Sequence, residues 1–170
     1  LYDTIVSFGE RTCAQLLAAV MNSRGIASVA AMPQEIGLIT DGKFGDATVV
    51  PKKTAANFRR HLKTPLKKGA VIFIPGFYGV GPEGDITTFG RGGSDYSAAV
   101  AAGALEAECL EIWKDVDGFM SADPKIVPES RLIPELSYEE AAELAYFGAK
   151  ILHPRTMEPV RLRKIPVTIR

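Results

Sequence analysis

A chain of 170 residues, 46% hydrophobic and 24% charged, reads as one globular domain long enough to bury a substantial core. Twenty basic residues balance twenty acidic ones, which removes the field expected of a nucleic-acid binder or of a protein held on an anionic membrane. No apolar run approaches the ~20 residues of a membrane span and no secretory leader is visible, while Cys13 and Cys109 stand far apart in apolar surroundings and read as buried free thiols of a reducing compartment.

In chain order, Ser7-Phe-Gly-Glu10 has the form of a capping box and opens a helix. Cys13, Leu16, Ala19 and Val20 form its apolar stripe, and Arg24-Gly25 stops it. Short strands are expected over 27–32, 36–40 and 47–50, the second closed by the turn dipeptide Asp41-Gly42. Residues 52–66 carry Ala55, Phe58, Leu62 and Leu66 at helical spacing among basic residues, the pattern of an amphipathic surface helix. The β-branched run 70–75 reads as a buried strand.

Residues 76–104 are the most informative stretch. Pro82-Glu-Gly-Asp85 predicts a hairpin turning at Glu83-Gly84. After Gly90-Arg-Gly-Gly93 the composition switches to an alanine-rich helix over 94–107, with Ser94 and Asp95 where a cap would stand. Strand, glycine-rich loop and helix in this order favour an anion, because a helix N-terminus offers unpaired N–H groups and the positive end of its dipole. Gly92 and Gly93 let a ligand approach the backbone, and Arg91 adds a planar charge suited to carboxylate or phosphate. The same stretch also fits a plain loop before a capped helix. It is neither a P-loop nor a dinucleotide fingerprint.

A strand over 109–113 leads into Lys114-Asp-Val-Asp-Gly118, and 119–134 is irregular. Ser137-Tyr-Glu-Glu140 is a second capping box, opening a helix through Phe147 with Leu144 and Ala145 inward and Gly148 past its end. His153-Pro154 starts a short helix to about residue 163, and 165–169 is a last strand. Alternation of strands and helices predicts an α/β fold with a mostly parallel sheet covered on both faces, and ligands beyond the carboxyl ends of the strands.

Several residues admit two readings. Asp115 and Asp117 either orient a nucleotide ribose or Mg²⁺, or form a solvated turn. Lys150, inside an apolar run, either neutralises a phosphate or snorkels to the surface. Glu10 either completes the capping box or faces a ligand's ammonium. His61 reads as solvated and His153 as a structural hydrogen-bonding residue, with no zinc spacing at either. Unaided, these residues point to an α/β domain that binds small anions, with nucleotide phosphate the leading candidate. They do not reach a reaction.

Taken together, Val6-Ser-Phe-Gly-Glu-Arg11, Gly37-Leu-Ile-Thr-Asp41, Ile86-Thr-Thr-Phe-Gly-Arg-Gly-Gly-Ser-Asp-Tyr96, Glu111-Ile-Trp-Lys-Asp-Val-Asp-Gly118, Ala122-Asp-Pro124 and the run from Leu136 to Arg155 resemble the aspartate kinases, of the amino-acid kinase fold. The resemblance spans essentially the whole chain. It implies a three-layer αβα sandwich with a mostly parallel central sheet, and one kinase domain over 1–170 that is N-terminally incomplete. It also implies transfer of the ATP γ-phosphoryl group to the β-carboxylate of L-aspartate, with Mg²⁺, in a cytoplasmic homo-oligomer of amino-acid biosynthesis with no nucleic-acid or membrane partner.

By the same resemblance, Glu10 holds the substrate ammonium, and Arg91, Gly92, Gly93 and Ser94 hold its carboxylate. Asp95 organises the phosphate-binding lysines, and Lys150 reaches the phosphates. Lys114, Asp115, Met120 and Lys125 meet the nucleotide. No residue is expected to form a protein-only metal site. Lys114 replaces a frequent threonine, Lys125 an arginine and Met120 a frequent aromatic, which alters those nucleotide contacts. The family's Lys-Phe-Gly-Gly loop and its ACT domains have no counterpart here, so weak activity is expected of this chain alone. A non-catalytic module of the same fold, or another amino-acid kinase, is the alternative.

Overall fold

A computed structural model describes residues 1–116, 118–122, 126–146 and 151–170. α1 (Tyr2–Val6) runs through Ser7 into α2 (Phe8–Ser23), followed by β1 (Ser28–Ala30), α3 (Pro33–Ile36), α4 (Pro51–Lys67) and β2 (Val71–Phe73). The hairpin β3 (Tyr78–Val80) and β4 (Ile86–Thr88) leads into α5 (Gly93–Leu105) and β5 (Leu110–Ile112). α6 (Tyr138–Tyr146), a 3-10 turn (Pro154–Thr156), α7 (Met157–Arg161) and β6 (Val167–Ile169) complete the chain.

Among the described residues, two of the three strand pairs, β1–β2 and β5–β6, are parallel, with Val29 opposite Ile72 and Glu111 opposite Thr168. Parallel neighbours require crossovers, and the intervening helices supply them. The α/β class expected from the alternation of elements is therefore present. β3–β4 is antiparallel, and its turn is closed by the Gly81 N–H on Asp85 O at 2.8 Å and the Gly84 N–H on Gly81 O at 3.0 Å.

α5 is the shared wall of two hydrophobic clusters. Tyr96, Val100 and Ala104 face one, with Leu38, Phe58, Leu62 and Phe89. Ala99 and Ala102 face the other, with Leu110, Ile112, Phe119, Met157, Val160 and Ile165. Small residues on several faces permit this, because the helix is packed from both sides. At Gly103 a Cβ would lie 2.6 Å from the carbonyl oxygen of Pro159, so glycine is what lets α7 approach.

Local patterns misled at several points. Ser7 does not cap: it is itself helical (φ −76°, ψ −11°), and its Oγ donates to Thr4 O at 3.0 Å. The chain before it is already helical, so there is no fresh helix start to cap. The stripe at Cys13, Leu16, Ala19 and Val20 is exposed, while Ala14 and Ala18 are buried, because it is the small-residue face that packs on β1 and β2.

Cys13 and Cys109 are exposed thiols rather than buried ones. The expected strand at 36–40 is α3 plus isolated bridges at Ile39 and Thr40, because Pro33 starts a helical turn and Glu35 Oε2 accepts the Met32 N–H at 3.2 Å. The expected strand at 47–50 shrinks to a bridge at Val49. The strand at 70–75 is only partly covered, with Val71 exposed.

Ser137 does form its capping box, accepting the Glu140 N–H on Oγ at 3.1 Å and donating its own N–H to Glu140 Oε2 at 2.8 Å. The backbone hydrogen bond from Ser137 pulls the exposed Glu140 carboxyl below its ordinary range. Gly148, the expected helix stop, lies outside the described residues.

Candidate active site

The glycine-rich loop between β4 and α5 forms the centre of the site. Gly92 is the N-cap of α5 at φ 72°, a left-handed conformation, and a Cβ there would also lie 2.6 Å from that of His153. α5 then starts at Gly93, whose N–H returns to Gly90 O at 3.1 Å. Ser94 and Asp95 make no side-chain cap, so the predicted cap is absent and a backbone turn begins the helix instead. Ser94 is exposed.

Asp95 in the first turn of α5 meets Lys114, just beyond β5, with Nζ–Oδ2 at 2.8 Å. Both side chains are largely covered, at 19% and 24% exposure, so this pair is screened less than a surface pair would be. The Lys114 N–H also donates to Arg170 O at 2.8 Å, which fixes the loop after β5 against the end of β6. The carboxyl end of β5 and the N-terminus of α5 therefore meet through one ion pair.

A second grouping lies on the other side of the loop. Lys43, Asp46, Arg91, His153 and Arg155 line a cleft of about 540 Å³ together with Gly45, Thr48, Phe89 and Gly90. Its charge is mainly positive. Lys43 pairs loosely with Asp41 at 3.8 Å, whereas Arg91 is exposed with no side-chain partner among the described residues. Asp41 is held below the ordinary carboxylate range, chiefly by the Thr48 N–H. Another hollow, of about 570 Å³, is lined by Phe119, Leu136, Tyr138 and Val167 among others and contains none of the predicted site residues.

Not every predicted residue joins these groups. Glu10 is exposed in the first turn of α2 and has no partner among the described residues. Asp115 is exposed beyond β5, and Met120 is engaged in an isolated bridge with Leu132. Lys125, Lys150 and Asp117 lie outside the described residues.

Three residues that the sequence did not single out organise the loop. Asp3 is buried, and its Oδ2 accepts the Thr88 N–H at 2.7 Å, the Gly45 N–H at 2.8 Å and Thr88 Oγ1 at 3.0 Å. Burial works against its ionisation, but the hydrogen bonds from Gly45 and Thr88 outweigh burial and leave its carboxyl below the usual range. Phe77 is held at φ 74°, a strained conformation for a non-glycine residue. Its N–H donates to Ser97 Oγ at 2.9 Å and its carbonyl accepts from the Phe89 N–H at 2.9 Å, so the site fixes it on both sides.

The third is Arg155, which lines the same cleft as Arg91 and reaches Asp46 at 2.9 Å. His153 plays the structural part expected of it, with Nδ1 accepting the Arg155 N–H at 3.3 Å.

The amino acid kinase family matches residues 2–170. The chain is 39% identical over 169 residues to aspartokinase 1, chloroplastic, of Arabidopsis thaliana, covering 99% of this chain and 30% of that protein. Crystal structures of E. coli aspartokinase III are similar at 38% identity over 98% of this chain and 37% of theirs. The complex with aspartate and ADP in the R-state superposes at a TM-score of 0.91, and the complex with lysine and aspartate in the T-state at 0.85. The chain thus spans about a third of the length of these relatives. With a match along essentially its whole length and the strand–loop–helix site at its centre, the chain belongs to the amino acid kinase family.

Proposed function

We propose that the protein is an aspartate kinase. It moves the γ-phosphoryl group of ATP onto the β-carboxylate of L-aspartate, giving 4-phospho-L-aspartate and ADP. A carboxylate oxygen attacks γ-phosphorus, and the bond to the β,γ-bridging oxygen breaks, with its electron pair leaving on ADP. The observation that carries this reading is the similarity, over nearly the whole chain, to an aspartokinase whose structure holds aspartate and ADP.

The chain's own residues suit that chemistry. Phosphoryl transfer needs little covalent help from protein, and depends on positioning and on cations near developing charge. Arg91, free of side-chain partners among the described residues, grips a substrate carboxylate beside the backbone of Gly92 and Gly93 and the hydroxyl of Ser94. Glu10 receives the substrate ammonium. Lys114 is held by Asp95 at 2.8 Å, which keeps a cation at the carboxyl end of β5 where the phosphates approach. Lys150 and Lys125 complete the phosphate contacts, and Asp115 and Met120 border the nucleotide.

Among the described residues no three His, Cys, Asp or Glu side chains gather into a metal cage. Mg²⁺ would accompany the triphosphate, and the exposed Asp115 beyond β5 is the carboxylate that would help to hold it. When bound, the ion supplies neutralisation of charge on the β- and γ-phosphates.

No helix of the described residues is long and apolar enough to cross a membrane. A cytoplasmic homo-oligomer serving lysine, threonine and methionine synthesis completes the reading.

The test is Arg91→Ala in the full-length gene product, with aspartate and nucleotide titrated separately by calorimetry. Losing two charge-assisted hydrogen bonds of about 1.5–3 kcal/mol each should weaken aspartate at least ~100-fold. Nucleotide affinity should be largely kept. Unchanged aspartate affinity would refute the role of Arg91.

A further inference from the structure

The geometry points to Arg155 as a positioning residue that sets the aspartate loop. It does so by tying the segment after Lys150 to both walls of the cleft and to α5.

Its guanidinium touches three separate parts of the fold. Nη1 donates to Asp46 Oδ1 at 2.9 Å and to Phe89 O at 3.5 Å. Nη2 donates to Ala47 O at 2.6 Å and to Thr48 Oγ1 at 3.1 Å. The charge also sits 4.9 Å from the ring centroid of Tyr96 in α5. Tyr96 in turn meets Phe89 edge-on at 5.3 Å and accepts the Val49 N–H on its hydroxyl at 3.4 Å.

Phe89 stands two residues before Arg91, and Tyr96 five residues after it. Both flanks of the carboxylate-gripping loop are therefore held by one side chain from a distant segment. That segment also seats His153 against Gly92.

A planar fork with five donors can serve two carbonyls, a hydroxyl and a carboxylate at once while stacking on an aromatic face; an ammonium cannot. The Arg155 side chain is 27% exposed, and the four Nη hydrogens are committed to protein acceptors. Its action on substrate therefore runs through the placement of Arg91.

This inference rests on the aspartate-kinase reading, and the test separates the two. In the full-length gene product, the KM values for aspartate and ATP and the melting temperature are measured for Arg155→Ala, Arg155→Lys and Thr48→Val. Misplacing Arg91 by a fraction of an ångström should raise the aspartate KM of Arg155→Ala about 10- to 100-fold with the ATP KM within about twofold. Arg155→Lys should recover part of this, since it keeps the charge near Asp46 and Tyr96 but not the fork. Thr48→Val, which removes one acceptor at an exposed position, should raise the aspartate KM a few-fold in the same direction.

An unchanged aspartate KM in the variants overturns the inference. So does an equal rise in both KM values with a lowered melting temperature, the mark of a merely structural role. If Arg155→Ala does not fold, Arg155→Lys and Thr48→Val decide by the same criterion. Failure of the unsubstituted protein to phosphorylate aspartate would instead sink the kinase reading.

Discussion

Replacing Asp3 by alanine tests how the glycine-rich loop is held. One carboxylate oxygen accepts three hydrogen bonds, two from Thr88 and one from Gly45. Thr88 is 2% exposed, so its N–H has no ready access to water once the carboxylate is gone, whereas Gly45 is exposed and can be resolvated. An orphaned buried N–H costs about 1–3 kcal/mol, and loss of the charge-assisted bond to the Thr88 hydroxyl adds about 1 kcal/mol after that rotor finds another acceptor. The expected loss is thus about 2–4 kcal/mol, or roughly 5–15 °C in Tm for a domain of this size.

The pH dependence gives a second readout from the same residue. Its folded-state pKa is depressed, so the contribution is fully present above the unfolded aspartate value near 3.9 and is lost as pH falls through the folded value. Asp3→Asn should remove this acid-side step while retaining part of the hydrogen bonding. Urea denaturation from pH 7 down to pH 3 measures both effects. A loss below about 0.5 kcal/mol for Asp3→Ala at pH 7 would show that the three bonds are dispensable and that the reasoning is wrong.

Three further substitutions separate local propensity from tertiary context. Gly103→Ala should gain about 1 kcal/mol of helix propensity yet destabilise the protein, because its Cβ would meet Pro159 O at 2.6 Å and force α7 away; overpacking costs about 1–3 kcal/mol, and chemical denaturation gives the sign. Ser137→Ala should cost about 1 kcal/mol through its lost cap, and Ser7→Ala less, since Ser7 caps nothing; a larger loss at Ser7 in the same melts would contradict the assignment.

The two serines also show why the sequence was only partly legible. Ser7 and Ser137 carry the same Ser-x-x-Glu spacing, and only the second caps, because a capping box needs non-helical chain before it and α1 removes that condition at Ser7. Strong periodicity survived the passage to structure: Phe58 and Leu62 are buried in α4 as their spacing required. In α2 the larger side chains invited the wrong inward face, since the alanines are what fit against two strands at close range.

The order of glycine-rich loop and helix around Arg91, Gly92 and Asp95 was readable because it is contiguous in the chain. Asp3 and Arg155 were not, since their partners lie 42 to 109 residues away and no local spacing encodes them. The Lys114–Asp95 contact falls between these cases. Both residues were singled out, each for its own reason, and only the fold joins them.

α5 has a consequence for how the molecule opens. Because its residues complete two clusters, an opening that detaches this helix exposes both. Amide protection in β5 and in α4 should then report a single opening event rather than two. The helix that follows the glycine-rich loop is thus also the joint across which the two clusters exchange stability, so order imposed at its first turn is felt on both sides.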